Sequence, residues 1–200
     1  IKPSIKDARK RKSSETPVID FNEYFNIKGF GKGKTYKIET FGCQGNEADS
    51  EKIRGILDAL DFTESESLQD SDLILLNTCA IRENAENRVF GELGRLKKYK
   101  KNNPELILGV CGCMPQEEKV VDRILQRFHY VDLVFGTHNI YKLPEYLETV
   151  ILSKERVIEV FSDEGKIVEN VPKIRDNAKK AWVNIMYGCD EFCTYCIVPY

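Results

Sequence analysis

The chain has 200 residues, 42% of them hydrophobic and 31% charged, with a formal net charge of -2. That balance excludes wholesale disorder and a strongly basic nucleic-acid binder. No apolar run reaches the roughly 18 residues of a membrane span and no signal peptide is recognisable, so a cytoplasmic protein is expected.

Residues 1–34 lack a sustained hydrophobic period. Their basic opening (Lys2, Lys6, Arg9, Lys10, Arg11, Lys12) reads as an extended or disordered segment, with a contact to RNA phosphates as the sharper alternative. From Thr35 the pattern becomes regular. Short apolar strands are expected at 35–41, 73–77, 106–110, 132–135 and 156–161. Charged, helix-like stretches at 47–60, 80–102, 116–128 and 140–153 separate them. Such alternation predicts right-handed crossovers and a mainly parallel sheet, a doubly wound α/β domain over 35–161 with helices on both faces. Residues 162–180 are polar, carry Gly165 and Pro172, and read as a linker. Residues 181–187 (AWVNIMY) look like the first strand of something new. The chain opens on Ile1 and stops at Tyr200, just past a cysteine cluster, so it is expected to be part of a longer protein, with 181–200 the start of a second domain.

Seven cysteines and two histidines make sulfur the main metal-ligand type available. In a cytoplasmic chain cysteines are more often metal-binding or catalytic than disulfide-forming. Cys43, Cys79 and Cys113 each follow a predicted strand, and in an open parallel sheet ligands bind beyond the carboxyl ends of the strands. Three thiols far apart along the chain are therefore expected at one edge. Each also stands just ahead of a predicted helix, beginning near Glu47, Ala80 and Pro115. The positive end of a helix favours a thiolate, and thiolates hold iron–sulfur clusters. Gly42 and Gly112 would permit close backbone approach beside a ligand. The competing reading is that these cysteines are small buried hydrophobes. Packing gives no reason for three at one edge, whereas Cys111, inside the third strand's apolar run, is expected in the core.

The last group is Cys189, Cys193 and Cys196, spaced C-x3-C-x2-C. Structural zinc sites need four ligands and usually pair C-x2-C units. Three thiolates on one loop suit a four-iron cluster with one iron left open, able to take the amino and carboxylate groups of S-adenosylmethionine. One electron from such a cluster splits the carbon–sulfur bond and gives a deoxyadenosyl radical. Elsewhere, Lys97, Lys98, Lys100 and Lys101 read as a solvated helix end rather than an RNA contact, and His129 and His138 as structural.

The lead-in and motif WVNIMYGCDEFCTYCIVPY resemble the radical-SAM signature of MiaB-type tRNA methylthiotransferases. Gly42-Cys43 with Asn46, Asn77-Thr78-Cys79, and Gly112-Cys113 with Gln116 resemble that family's amino-terminal domain. The stretch 77–96 and Thr137-His138-Asn139 are most similar to the branch acting on isopentenyladenosine beside the anticodon. Gly45 stands where the family commonly has a bulkier residue such as Met. The resemblance covers residues 35–200 and implies two [4Fe–4S] clusters. Cys43, Cys79 and Cys113 would hold an auxiliary one involved in supplying sulfur. Cys189, Cys193 and Cys196 would hold the one that cleaves S-adenosylmethionine. It further implies tRNA as substrate, a reductant such as flavodoxin or ferredoxin, and 2-methylthio-N6-isopentenyladenosine as product. Residues 181–200 would then be the truncated start of the radical-SAM barrel, and the chain by itself is not expected to turn over. Two other readings stay open: an iron–sulfur electron-transfer or redox-sensing module, and a non-catalytic α/β binding domain whose cysteines pack or hold zinc.

Overall fold

The computed structural model describes residues 17–24, 29–80, 83–160 and 167–185. In chain order the elements are β1 (Val18–Asp20), α1 (Phe21–Tyr24), β2 (Thr35–Phe41), α2 (Gln44–Ala59) and β3 (Thr63–Glu64). They continue with β4 (Leu73–Thr78), α3 (Glu83–Asn102), β5 (Ile107–Gly112), α4 (Glu118–Arg127) and β6 (Leu133–Gly136). Last come α5 (Leu143–Ser153), β7 (Val157–Glu159) and β8 (Ile167–Glu169). Single 3₁₀ segments at Met114–Gln116 and Thr137–Lys142 precede α4 and α5.

Six strands form one sheet in the order β3-β2-β4-β5-β6-β7, and every neighbouring pair is parallel. The reason is visible in β4 and β5, whose residues are all buried. A strand apolar on both faces needs cover on both faces, and parallel sheets wrapped by helices provide it. The two-residue side-chain period then divides the core. Leu73, Leu75, Leu133 and Phe135 face α2 and α5, whereas Ile74, Leu76, Leu108, Val110 and Val134 face α3 and α4. The doubly wound α/β expectation is met.

Strand order reverses between β2 and β4, because β2 continues outward to β3 while β4 begins the march toward β7. This is the topological switch point, where loops leave for opposite faces and open a crevice at the carboxyl edge. One crossover departs from expectation. α5 packs with α2, so the connection from β6 to β7 has the opposite hand to that from β5 to β6, which runs through α4 on the other face. The α2 face has no other long helix among the described residues, and α5 supplies four fully or largely buried apolar side chains (Leu143, Tyr146, Leu147, Val150) to cover it. Closing with a three-residue edge strand leaves little ladder to oppose that burial.

Two short strands lie outside the sheet. β1 and β8 pair in parallel, joining the segment expected as a tail to the one expected as a linker. Neither has a period long enough to read from sequence. Residues 181–185, expected as a strand, are not one: Val183 and Ile185 stand exposed, and no neighbouring strand pairs with them among the described residues. No helix among the described residues is long and apolar enough to cross a membrane.

Candidate metal centre

Cys43, Cys79 and Cys113 follow β2, β4 and β5, three adjacent strands, so all three leave the same edge of the sheet. Register fixes the convergence. Phe41 pairs with Thr78 and Thr78 with Gly112, which aligns the three strand ends to within a residue. The loops are then tied directly: Cys79 N–H donates to Phe41 O at 3.1 Å and Cys113 N–H donates to Thr78 O at 2.8 Å. Cys43 and Cys79 flank the switch-point crevice.

The cysteines have different helical surroundings. Cys43 is the N-cap of the sixteen-residue α2, beside the free N–H groups of its first turn. Cys113 precedes only the short 3₁₀ segment, and α3 begins at Glu83, four residues after Cys79. Of the three, Cys43 is the one that caps a long helix among the described residues. Cys79 is buried, and Cys43 and Cys113 are half-buried.

Burial pushes the Cys113 thiol up, and a 3.7 Å contact with Thr137 Oγ1 opposes that. Asp49, Cys79 and Cys43 each push it further up by their negative charge. Both other thiols are thus electrostatic neighbours of Cys113, and three thiolates together with a carboxylate would repel one another. A bound cationic group reverses the sign of that repulsion and turns the same arrangement into a ligand set. Cys111, expected in the core, is fully buried in the α2-side cluster, and burial holds its thiol well above the ordinary value.

No three His, Cys, Asp or Glu side chains among the described residues stand close enough to hold a single metal ion. A four-iron cluster sets a different requirement, since each thiolate binds a separate iron at a separate corner. Three thiolates on three converging loops fit that group, whereas a structural zinc site takes four protein donors. Backbone approach is also provided for. A Cβ on Gly112 (φ +98°) would lie 2.4 Å from Thr78 O, and one on Gly42 2.0 Å from Asn46 Oδ1. A Cβ on Gly45 would sit 3.5 Å from Cys43 Sγ, an ordinary van der Waals contact.

Beside Cys113 a cavity of about 760 Å³ opens, lined among others by Asp49, Lys52, His138, Lys173 and Trp182. Asp49 is 5% exposed; burial raises its carboxyl's pKa, opposed by Lys52, whose Nζ lies 2.9 Å from Oδ1, and by His138. His138 is exposed on the cavity wall, and Asn139 holds β7 by donating to Glu159 O at 2.7 Å. Asp49, Lys52 and Ser50 were not singled out from sequence, although a signal existed. Asn46, Asp49, Ser50, Ile53, Ile56 and Leu57 follow helical spacing on one buried face, which is polar through Ser50 and apolar from Ile53 onward. Of the clustered lysines, Lys100 pairs with Asp132 at 2.8 Å while Lys97, Lys98 and Lys101 are exposed. Cys189, Cys193 and Cys196 lie outside the described residues.

A parallel α/β domain with its thiols gathered at the switch-point edge is the class that fold and site define. The chain belongs to the Uncharacterized protein family UPF0004, whose model matches residues 35–136. Curated relatives agree with the MiaB-type likeness of the motifs. A protein of Bacillus velezensis named tRNA-2-methylthio-N(6)-dimethylallyladenosine synthase is 61% identical, the match covering 100% of this chain and 40% of the relative. One of the same name from Bacillus subtilis is 60% identical over the same shares, and one from Staphylococcus haemolyticus 58% identical over 99% of this chain and 39% of the relative. The chain thus spans about two fifths of the length of the curated relatives it matches.

Proposed function

We propose that the chain is the amino-terminal part of a radical-SAM tRNA methylthiotransferase, which adds a methylthio group to C2 of N6-isopentenyladenosine beside the anticodon. Cys43, Cys79 and Cys113 hold one [4Fe–4S] cluster, and Cys189, Cys193 and Cys196 hold a second, which binds S-adenosylmethionine. When bound, such clusters supply the electron that cleaves S-adenosylmethionine and a place for the sulfur to be delivered. Residues 35–161 form the thiol-bearing domain, 162–180 link it onward, and 181–200 begin the radical-SAM unit. The partners are tRNA, S-adenosylmethionine and a reductant such as flavodoxin or ferredoxin, in the cytoplasm. The 200-residue chain alone does not complete the reaction.

The observation that carries this reading is the gathering of three thiols from adjacent strands, with Cys79 and Cys43 close enough to bear electrostatically on Cys113. Each residue has a defined part. Cys43 lends its thiolate from a helix N-cap, Cys79 from a buried strand end, and Cys113 from the rim of the cavity. Burial shields Cys79 from water, while Cys43 and Cys113 keep a partly open side. The names of the relatives, at about 60% identity, supply the substrate and the transferred group.

Iron and sulfide analysis after anaerobic reconstitution tests it. About eight irons per full-length chain are expected, whereas about four would fit an electron relay. Zinc without iron would overturn the reading.

A further inference from the structure

The thiols reach one edge because the strands are adjacent, but adjacency alone does not fix the spacing between three loops. Something must hold the loops relative to one another. Two buried amides do so. Asn46, in the first turn of α2, and Asn77, at the end of β4, are both 0% exposed. Asn46 Oδ1 accepts the N–H of Cys43 at 3.1 Å and lies 3.5 Å from Cys43 Sγ. Asn46 Nδ2 donates to Asn77 Oδ1 and to Thr78 O, each at 3.0 Å. Asn77 Nδ2 donates back to Asn46 O at 2.8 Å and to Ser50 Oγ at 2.9 Å. The Cys43 N–H requires the oxygen of Asn46, so that amide's orientation is forced, and all four side-chain N–H groups find acceptors.

The third loop is keyed to the same pair. Thr78 O, which accepts from Asn46, also accepts the N–H of Cys113 at 2.8 Å. A Cβ on Gly112 would lie 2.5 Å from Asn77 Oδ1, and one on Gly42 2.0 Å from Asn46 Oδ1. The chains beside Cys43 and Cys113 therefore lie against these amides with no room for a side chain. Each cysteine loop touches one two-residue network.

We propose that Asn46 and Asn77 are positioning residues that lock the three thiol loops into the spacing one iron–sulfur cluster needs. This rests on the assignment of that cluster to Cys43, Cys79 and Cys113. Groups that orient metal ligands typically cost about 10-fold to 100-fold in metal affinity when removed. α2 remains anchored in the variants by Ile53, Ile56 and Leu57, all fully buried, so the fold is expected to survive.

The test uses full-length protein carrying Cys189→Ala, Cys193→Ala and Cys196→Ala, so that only the strand-end site can bind iron. Asn46→Ser and Asn77→Ser are each reconstituted, challenged with an iron chelator, and compared by melting temperature, by the electron paramagnetic resonance signal of the reduced cluster, and by amide exchange in the iron-free protein. The expected result is iron lost at about tenfold lower chelator concentration in both variants. An altered resonance signal and cooperative melting retained accompany it. Unchanged chelator resistance and signal would overturn the proposal, as would iron loss that only tracks loss of cooperative melting. If the parent protein takes no iron, the cluster assignment fails separately, and the iron-free exchange decides the lock. Faster exchange at both Cys43 and Cys113 in Asn46→Ser supports it, since Asn46 makes no direct bond to the Cys113 amide. Faster exchange at Cys43 alone refutes it.

Discussion

The two ends of the same sheet solve the problem of strand termination differently. At the amino edge, carboxylates finish the strands: Asp72 accepts the N–H of Thr35 at 2.7 Å, and Asp132 accepts the N–H of Leu108 at 2.9 Å while pairing with Lys100. Lys100 balances the charge of Asp132, and Asp72 also accepts the Thr35 hydroxyl at 3.2 Å. At the carboxyl edge the strands end in glycines, cysteines and amides. Among the described residues, the strongest contacts of these three thiols are one of 3.5 Å to Asn46 and one of 3.7 Å to Thr137. One edge is closed by internal hydrogen bonds, and the other gathers the three thiols that the proposed function assigns to a metal cluster. The contrast teaches that structure and function have been assigned to opposite ends of the strands, as expected for an open parallel sheet.

Removing a thiol is the harshest challenge to that contrast. Cys79→Ala in the full-length protein should lower the iron count from about eight to about four per chain, since one of two four-iron clusters loses a ligand. Deoxyadenosine release by the other cluster should persist. Equal loss of both would show that the two trios are not separate sites. Gly112→Ala follows, forcing a side chain into a left-handed backbone against Thr78 O, with an expected cost of about 3 kcal/mol in chemical denaturation. It should also weaken iron uptake, because Cys113 is the next residue.

At the other end, Asp132→Ala should cost about 2 kcal/mol through the lost charged hydrogen bonds while leaving iron content unchanged. If iron fell with it, the two edges would not be independent. The mildest change is Cys111→Ala, one residue from the site's backbone and fully buried. About 1 kcal/mol of stability should go, as for other small core truncations, with no loss of iron. Halved iron would mean that Cys111, not Cys113, is the ligand from β5.

Much of this was legible in the sequence, for a physical reason. Parallel strands covered on both faces must be apolar without interruption, so LILLN and its counterparts announce themselves, and a cysteine after each run falls at the carboxyl edge without further information. β5 ran two residues beyond its expected end because Cys111 and Gly112 continue the ladder that Asn77 and Thr78 offer. That pairing depends on a neighbour, not on local composition. The reversed crossover into β7 was illegible for the same reason, since it follows from which face of the sheet still needed cover. β1 and β8 are three residues each and pair across 149 positions, from Val18 to Ile167. The Asn46 half of the network could be seen as the polar start of a buried helix face, but its partner Asn77 on β4 could not be read from spacing alone.

The most direct measurement is anomalous diffraction at the iron absorption edge from crystals of the anaerobically reconstituted protein. It should show one compact iron feature within bonding distance of the sulfurs of Cys43, Cys79 and Cys113, with Cys111 buried away from it. Iron bound elsewhere, or those three sulfurs turned toward different sides of the sheet, would contradict the assignment.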